Sequence, residues 1–376
     1  MRILIKQFLS QNHSWAVVGR NLATSLIDMG HQVDLFPTDG IDGLPDSLRS
    51  HVVGYYNPDT NIAIGNNPKN DYDTAISYTA MKNFGPYLSH GRNKLGIWCY
   101  EFVGVNGSNV FPTGFAKNHN HCDFICAPSN FAKRGFVEAG VPEKKVVVIP
   151  HGVDKSFIEG NSIVDLGTKK RFKLLVNIAQ NHKRKNIPGL LDMYGKAFSN
   201  KDDVVLILKA KHKTVNNKFD VSLQDCLNDF YRKYPKHAEI KLLTTFIDDM
   251  SSLYRSVDAL FSPSFCEGFL MPSLEAISCG KLVIASNYGA QLDFLDDSNA
   301  LLIDGKEGRA DPNSMYWEQK NNAVWFIPSI DDGIEKLRFA YNNFESMNER
   351  IAKNRVDVYK TYSWNTIAAQ FLELCK

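Results

Sequence analysis

Residues 261–283 read FSPSFCEGFLMPSLEAISCGKLV, and this stretch decides the fold class of the chain. Its first apolar residues are typical of the end of a buried strand, and the residues around Gly268 are typical of a loop. Pro272 suits the first turn of a helix, and Gly280 suits the left-handed residue that follows one. We therefore predict a strand, a glycine-bearing loop and a short helix, in that order.

Two carboxylates dominate this stretch. Glu267 opens the loop, and Glu275 follows one turn into the predicted helix. The backbone amides expected to be free at the helix start are those of Leu270, Met271 and Ser273. The helix macrodipole places roughly half a positive charge there, which favours a phosphate, and Gly268 lets the backbone approach a ligand closely. Because carboxylates accept from hydroxyls and amides donate to phosphates, we expect a ligand that carries both sugar hydroxyls and phosphates.

Short apolar runs that end in turn residues recur along the chain and are typical of parallel strands buried on both faces. In the first half they are Ile3–Lys6, Val33–Phe36, Thr74–Ser77, Leu95–Trp98, Phe124–Ala127 and Val146–Ile149. After a polar connector around residues 160–170 they are Leu174–Ile178, Val204–Leu208, Ile240–Leu243, Ala259–Ser262, Leu282–Ser286 and Leu301–Ile303. Helical patterns lie between them, so we predict an α/β fold with two doubly wound domains.

Composition limits the class of protein. A chain of 376 residues with 44% hydrophobic content is long enough for two cores. Its formal net charge of +2 provides no global field for nucleic acid or acidic membranes. The seven scattered cysteines predict reduced thiols in a cytoplasmic protein. The start MRILIKQFLS is too short for a signal peptide and no run reaches the length of a membrane span, so we expect at most peripheral membrane contact.

The E-x7-E spacing from Glu267 to Glu275 resembles the nucleotide-sugar signature of retaining glycosyltransferases with the GT-B fold, family 4 (group 1) in particular. Three more stretches resemble this family in the same order: SNFAKRGFVEAGVPEKKVVVIPHGVD (Ser129–Asp154), KRKN with the following helix (183–198), and YSWNTIAAQFLEL (Tyr362–Leu374). Motifs in the right order are more specific than any one of them alone.

The resemblance implies two Rossmann-like domains that face each other across a cleft. Residues 1–165 would form the N-terminal, acceptor-side domain, and residues 166–355 would form the C-terminal domain that binds the nucleotide sugar. Residues 356–376 would form a helix that crosses back to the first domain. Ligands of open α/β sheets bind at the carboxyl ends of the strands, which is where this cleft would lie.

The resemblance also assigns roles in donor binding. Glu275 would accept from the ribose hydroxyls, and Glu267 would hold the transferred sugar. The segment Gly268, Phe269, Leu270 and Met271 would line the donor, although the family usually has glycine at the position of Leu270. Without the resemblance, Glu275 would be interpreted as an acid near a helix start and Glu267 as a solvated loop acid.

Basic residues follow the predicted strand Leu174–Ile178. Arg184 and Lys185 match the basic pair that stabilises the departing diphosphate in the family, since fixed cations act most strongly where water is excluded. We interpret Lys183 as a surface residue. Elsewhere, Glu101 follows the strand Leu95–Trp98, at the place where relatives carry a histidine or an acid near the reacting carbon. A catalytic role and a plain loop acid are equally compatible with Glu101, and Tyr100 is its alternative.

Neither a metal nor a cofactor is implied, because cations and helix amides would replace a divalent ion. Asp71-Tyr72-Asp73 matches the metal motif of another glycosyltransferase fold, but it precedes a strand and is better explained as a turn. His119, His121 and Cys122 have no second cluster at zinc spacing.

The function implied is a metal-independent, retaining hexosyltransferase that moves a hexose from a nucleoside diphosphate sugar to a hydroxyl of a saccharide or lipid-linked glycan. A modified base of DNA or RNA is an alternative acceptor, which the near-neutral charge disfavours. A non-catalytic nucleotide-sugar binding protein, an epimerase and a phosphorylase are further alternatives. The sequence leaves open the base, the sugar, the acceptor, the oligomeric state and the role of an insertion at residues 306–325.

Overall fold

A computed structural model describes the chain apart from residues 12, 67, 69–70, 113, 211–219, 246, 312–321 and 376. Within the described residues the strands are β1 (Arg2–Gln7), β2 (Gln32–Pro37), β3 (Gly54–Tyr56), β4 (Ala63–Gly65), β5 (Tyr72–Tyr78), β6 (Gly91–Ile97), β7 (Val103–Gly104), β8 (Phe124–Ala127), β9 (Val146–Val148), β10 (Phe172–Ile178), β11 (Val204–Ala210), β12 (Glu239–Leu243), β13 (Ala259–Ser262), β14 (Leu282–Ser286), β15 (Ala300–Ile303), β16 (Gly305–Arg309) and β17 (Ala323–Pro328).

The helices of the same residues are α1 (Ser14–Asp28), α2 (Asp46–Arg49), α3 (Phe84–Leu88), α4 (Asn130–Glu138), α5 (Ser156–Glu159), α6 (Ile187–Ala197), α7 (Leu223–Lys233), α8 (Met250–Arg255), α9 (Met271–Ser278), α10 (Ile330–Tyr362) and α11 (Trp364–Glu373). None of the helices in the described part of the chain combines the length and the apolar character that crossing a membrane requires.

The first compact unit comprises Met1–Tyr100, Phe111–Asp154 and Thr361–Lys376. Its parallel sheet has the strand order β2-β1-β5-β6-β8-β9, and the strands predicted for the first half of the chain are confirmed. The apolar side chains of β1 are fully buried, as expected for a strand covered on both faces. The hairpin of β3 and β4 was not predicted, because strands of three residues show no usable period.

The second compact unit comprises Glu101–Val110 and Lys155–Lys360. Its parallel sheet has the order β12-β11-β10-β13-β14-β15, and the strands predicted for the second half are confirmed. Numbered along the chain this is the 3-2-1-4-5-6 order of a Rossmann fold, in which the winding direction changes between β10 and β13. Ligands of such sheets bind at this topological switch point, beyond the carboxyl ends of the strands.

A small sheet in the second unit was not predicted. It has the order β16-β17-β7, and both of its pairings are antiparallel. The proposed insertion at 306–325 therefore contributes β16 and the start of β17, while its residues 312–321 lie outside the described part of the chain.

The end of the chain forms two helices, α10 and α11, instead of the single helix expected over 356–376. Ser363 separates the two helices with an extended backbone (φ −62°, ψ 146°), and its side chain accepts a hydrogen bond from the amide of Thr366. The prediction was wrong because Ser363 is an N-cap signal that starts a new helix. Helix α11 packs on α1 within the first unit. The domain limits at 165 and 355 stay predictions.

Candidate functional site

Two loops of the second unit meet at the carboxyl ends of β10 and β13. The first contains a 3₁₀ turn at Lys183–Lys185, and the second leads from β13 to α9. The amide of Phe265 donates to the carbonyl of Arg184 at 2.8 Å. The side chain of Asn186, whose left-handed backbone (φ 54°) starts α6, donates to the carbonyl of Pro263 at 3.0 Å. These bonds fix the basic turn against the loop that contains Glu267.

The loops bring together a cluster of opposite charges. Glu267 accepts from Arg184 Nη1 and from Lys185 Nζ, at 2.6 Å in each case. Arg184 also donates to the carbonyl of Cys266 at 3.2 Å and pairs with Glu101 through Nη2, at 3.2 Å. The Glu267 side chain is only 5% exposed, so its pairing with both cations takes place largely out of water. Arg184, Lys185, Glu267 and Glu101 therefore form one network, which we call the charged cluster.

Burial and pairing shift the protonation equilibria of the charged cluster. Burial raises the pKa of Glu267, but the charges of Arg184 and Lys185 outweigh it and lower that pKa to about 2. Burial also opposes the charge on Arg184, yet Glu267 and Glu101 raise its pKa. For Lys185 burial prevails over the attraction of Glu267, and its pKa is lowered. The cluster therefore holds Glu267 ionised and Arg184 charged.

Glu101 reaches the charged cluster through the small sheet. Strand β7 begins two residues after Glu101 and pairs with β17, with Val103 opposite Val324. The pKa of Glu101 is raised by burial, and the charge of Arg184 partly offsets this. The sequence placed Glu101 among the catalytic candidates, and the structure brings its carboxylate to Arg184. Tyr100, its alternative, is buried among aromatic rings such as Trp98 and Phe111.

Glu275 belongs to a separate chain of hydrogen bonds. It is hydrogen-bonded to the hydroxyl of Tyr254, and the same hydroxyl accepts a hydrogen bond from Asn177 Nδ2 at 3.0 Å. Burial raises the pKa of Glu275 to about 7, although the bond from Tyr254 opposes the shift. Asn177 lies near the carboxyl end of β10, so this chain also lies at the switch point. Tyr254 and Asn177 were not predicted, because neither belongs to a recognisable motif.

The start of α9 differs from the expectation in one respect. Leu270 has a left-handed backbone (φ 66°, ψ 57°), and its carbonyl accepts from the amide of Ser273 at 2.9 Å. The Ser273 amide is therefore not free for a ligand, contrary to the prediction. The left-handed conformation is the one that glycine adopts without strain, which explains why glycine is usual at the position of Leu270.

The rest of the predicted loop is largely buried. Gly268 is buried, Phe269 packs its ring on Phe294 with centroids 5.2 Å apart, and Met271 begins α9 half-buried. Gly280 follows α9 with φ 73°, so the predicted helix end is confirmed. The local strand, loop and helix thus lie where the sequence predicted them.

Several other candidates lie elsewhere. Lys183 is half-buried and pairs with Asp311 at 2.7 Å, so it is not a plain surface residue. Asp71 and Asp73 form ion pairs with Arg2 and Arg92 in place of the expected turn, and Tyr72 between them belongs to β5. Among the residues that the structure describes, no group of three His, Cys, Asp or Glu side chains is arranged to hold a metal. Metal independence itself stays a prediction.

The cysteines, all of which lie in the described residues, are free thiols. Cys122, Cys126, Cys266 and Cys279 are buried, and Cys99, Cys226 and Cys375 are half-buried. Burial raises the pKa of Cys279 to about 12, and the pKa of Cys266 next to Glu267 is also raised, so neither is a ready thiolate nucleophile.

Two family models match consecutive parts of the chain. Residues 160–310 match the model described as Glycosyl transferases group 1, and residues 105–157 match Glycosyltransferase Family 4. Residues 160–310 form a domain of the group 1 glycosyltransferases. The group 1 model contains the whole E-x7-E stretch and the basic turn, so Arg184, Lys185 and Glu267 of the charged cluster lie within the matched residues, whereas Glu101 lies outside both models.

Among the relatives of this group 1 glycosyltransferase is an uncharacterized glycosyltransferase, MJ1607, of Methanocaldococcus jannaschii. It is 22% identical over 275 residues, which is 70% of this chain and 62% of the relative. The chain thus matches less than two thirds of that relative's length. Among solved structures, sucrose-phosphate synthase from Thermosynechococcus elongatus is similar with a TM-score of 0.71 at 14% identity, covering 99% of this chain and 98% of that one.

Anabaena Alr3699/HepE in complex with UDP-glucose is similar with a TM-score of 0.68 at 17% identity, over 99% of this chain and 98% of that one. These likenesses show the fold, GT-B with two Rossmann-like domains, and confirm the predicted fold class.

Proposed function

We propose that this group 1 glycosyltransferase moves a hexosyl group from a nucleoside diphosphate sugar to a hydroxyl of a saccharide or lipid-linked glycan, with retention at the anomeric carbon. One observation carries the proposal: Arg184 and Lys185 both contact Glu267 at the switch point of the second sheet. Two largely buried cations and an acid at that place suit a ligand that combines a diphosphate with a sugar.

The cations would stabilise the departing diphosphate. Within the described contacts Arg184 donates from Nη1 to Cys266 and Glu267, and its Nη2 forms an ion pair with Glu101. A guanidinium has five N–H donors, so those of Nε and Nη2 remain for phosphate oxygens. Lys185 would turn from Glu267 towards the phosphate, which its three rotatable donors allow. The negative charge that develops on the leaving group would then lie beside two fixed cations.

The acids would hold the sugars. Glu275, ionised, would accept from the ribose hydroxyls, and Glu267 would accept from hydroxyls of the transferred hexose once a phosphate engages the cations. The bond from the anomeric carbon to the phosphate oxygen breaks, and a bond to the acceptor oxygen forms on the same face. The acceptor proton passes to the departing phosphate, so no protein nucleophile is needed. This scheme makes the enzyme independent of a metal.

UDP-glucose is the first donor to test, because the similar Anabaena protein is recorded in complex with it. The free thiols and the use of a nucleotide sugar fit a cytoplasmic location, which we include in the proposal.

The test is incubation of purified protein with a panel of nucleoside diphosphate sugars and glycan acceptors, followed by mass spectrometry of the products. We expect an acceptor that has gained one hexose, and release of the nucleoside diphosphate without added metal. Glu275→Ala should lose this activity while retaining the thermal melting temperature of a folded protein. An isomerised sugar, a sugar phosphate or no product in the wild type would contradict the proposal.

A further inference from the structure

The small sheet and the loop after β13 each contribute one residue to an aromatic pair that has no role in the proposed transfer. Trp325 lies on β17, and Phe265 lies in the loop after β13. Their ring centroids are 4.4 Å apart, with an angle of 40° between the rings. Both residues are half-buried, whereas Trp98 and Trp364 are buried in the core of the first unit. Two large aromatic side chains thus remain partly accessible to solvent in the second unit.

The alternation of side chains along β17 places Trp325 on the open face of the small sheet. Val324 and Phe326 point inward and are buried, and Phe326 stacks on Tyr288 with centroids 5.3 Å apart. Trp325 and Ile327 point to the opposite face, where Ile327 is 40% exposed. The open face is therefore apolar.

Gly308 keeps this face flat. It lies directly opposite Trp325 in the register of β16 and β17, so it places no side chain beside the indole ring. A Cβ atom at this position would lie 2.6 Å from Cδ1 of Ile327. Glycine at 308 therefore leaves the flank of Trp325 open.

Backbone hydrogen bonds join the aromatic pair to the charged cluster. The amide of Phe326 donates to the carbonyl of Phe265 at 2.8 Å, and the amide of Phe265 donates to the carbonyl of Arg184 at 2.8 Å. Phe265 also precedes Glu267 by only two residues. These bonds fix the position of the aromatic pair relative to the charged cluster, and therefore also the position of a ligand that contacts the pair.

We propose that Trp325 and Phe265 form a platform on which the apolar face of a pyranose ring packs, as a sugar subsite of this enzyme. The inference rests on the proposed function. A pyranose has a face of C–H groups and a rim of hydroxyls, and an indole offers an apolar face together with one N–H donor. Within the described residues the indole N–H of Trp325 makes no hydrogen bond. The pyranose belongs either to the donor or to the acceptor, and the experiment separates the two.

The experiment follows tryptophan emission of the wild type and of Trp325→Leu during titration with UDP, UDP-glucose and the methyl α-pyranosides of glucose, galactose and mannose. Leucine keeps an apolar residue on the strand but removes the platform. We expect a sugar-dependent change in the wild type that Trp325→Leu loses. A change with UDP-glucose but not with UDP assigns the platform to the donor sugar, and a change with a methyl pyranoside assigns it to the acceptor.

Kinetics provide a second measurement. Trp325→Leu should raise the KM of the sugar substrate identified by titration about tenfold, because packing on an aromatic ring contributes only modestly to the binding free energy. Phe265→Leu should act in the same direction, which keeps the proposal testable if Trp325→Leu melts early. Phe339→Leu, at a 51% exposed aromatic residue on α10, is the matched control and should retain wild-type values.

Three results would overturn the platform. The first is no change of wild-type emission with any probe, and the second is an unchanged titration and KM in both variants. The third is a Trp325→Leu variant that loses its response to UDP alone as fully as its response to the sugars. A wild type that responds to a methyl pyranoside but turns over none of the nucleotide sugars would retain the platform and refute the proposed transfer. Failure of the subsite and failure of the function are therefore distinguishable.

Discussion

Lys185 Nζ and Glu267 Oε1 lie 2.6 Å apart, and this ion pair joins the loop after β10 to the loop after β13. The two residues come from strands that are neighbours at the switch point of the second sheet. The same carboxylate accepts from Arg184, so one acid holds two cations in a place that is mostly shielded from water. Glu267 thus balances the charge of both cations, and in our proposal the cations leave Glu267 to contact a diphosphate.

Glu267→Gln should destabilise the protein by about 3–5 kcal/mol, because it leaves two largely buried cations without their shared carboxylate. Urea unfolding at pH 7 measures this. Glu345→Gln is the control, since Glu345 pairs with Arg171 on the surface and should cost about 1 kcal/mol or less.

The pH dependence gives a second check on Glu267. Its pKa is lowered to about 2 from an ordinary value of 4.5, so its contribution is present above 4.5 and is lost as the pH falls towards 2. The difference in stability between wild type and Glu267→Gln should shrink over this interval. A variant as stable as the wild type at pH 7 would show that the ion pairs do not hold the two loops.

Glu275 should make both stability and donor use depend on pH. Its pKa is raised to about 7 from 4.5, so the native state binds a proton more tightly than the unfolded chain, and stability should fall as the pH rises from about 5 to about 7. Ionised Glu275 is the form that accepts from ribose, so kcat/KM for the donor should rise over the same interval.

Glu275→Gln should flatten both profiles and reduce kcat/KM for the donor at pH 8. Melting temperatures and initial rates between pH 5 and pH 8 measure the two effects. Profiles that keep the wild-type shape in this variant would assign the dependence to another group.

Glu101→Gln should strengthen the binding of UDP about tenfold. The substitution removes a negative charge 3.2 Å from Arg184, and a diphosphate then meets a more positive site in a poorly screened place. Calorimetric titration of UDP measures the effect. Glu159→Gln, at an exposed helix pair with Lys155, should leave the affinity unchanged. Weaker binding by Glu101→Gln would mean that Glu101 mainly orients Arg184 for the phosphate.

Leu270 offers a test of backbone strain. Leu270→Gly should be more stable than Leu270→Ala by about 1 kcal/mol, because the left-handed backbone (φ 66°) strains alanine but not glycine. Both should be less stable than the wild type, since Leu270 is buried. At Leu22 inside α1 the order should reverse, with alanine about 1 kcal/mol better than glycine. Chemical unfolding of the four variants measures these differences.

The sequence predicted the parallel strands of both sheets, because strands buried on both faces form continuous apolar runs with clear ends. The family resemblance predicted one site shared by Arg184, Lys185, Glu267 and Glu275. The structure joins the first three by ion pairs, whereas Glu275 is hydrogen-bonded to Tyr254. Their roles came from the family resemblance and stay predictions.

The sequence did not reveal how Glu101 reaches Arg184. That contact depends on the pairing of β7 with β17, and a strand of two residues has no period that a sequence can display. The prediction that the Ser273 amide is free was wrong for a related reason. The turn at Leu270 depends on a left-handed backbone, and leucine in a sequence does not indicate this conformation. The hydrogen bond between Tyr254 and Asn177 joins residues far apart in the sequence, so the sequence alone did not predict it.

The central claim, that the charged cluster receives the donor diphosphate, is tested most directly by the initial rate of nucleoside diphosphate release from the preferred sugar nucleotide. The rate is compared among wild type, Arg184→Ala, Lys185→Ala and Lys183→Ala, each confirmed as folded by thermal melting. We predict a loss of about 100-fold or more for Arg184→Ala and Lys185→Ala, and a near wild-type rate for Lys183→Ala. Wild-type rates in the first two variants would contradict the account.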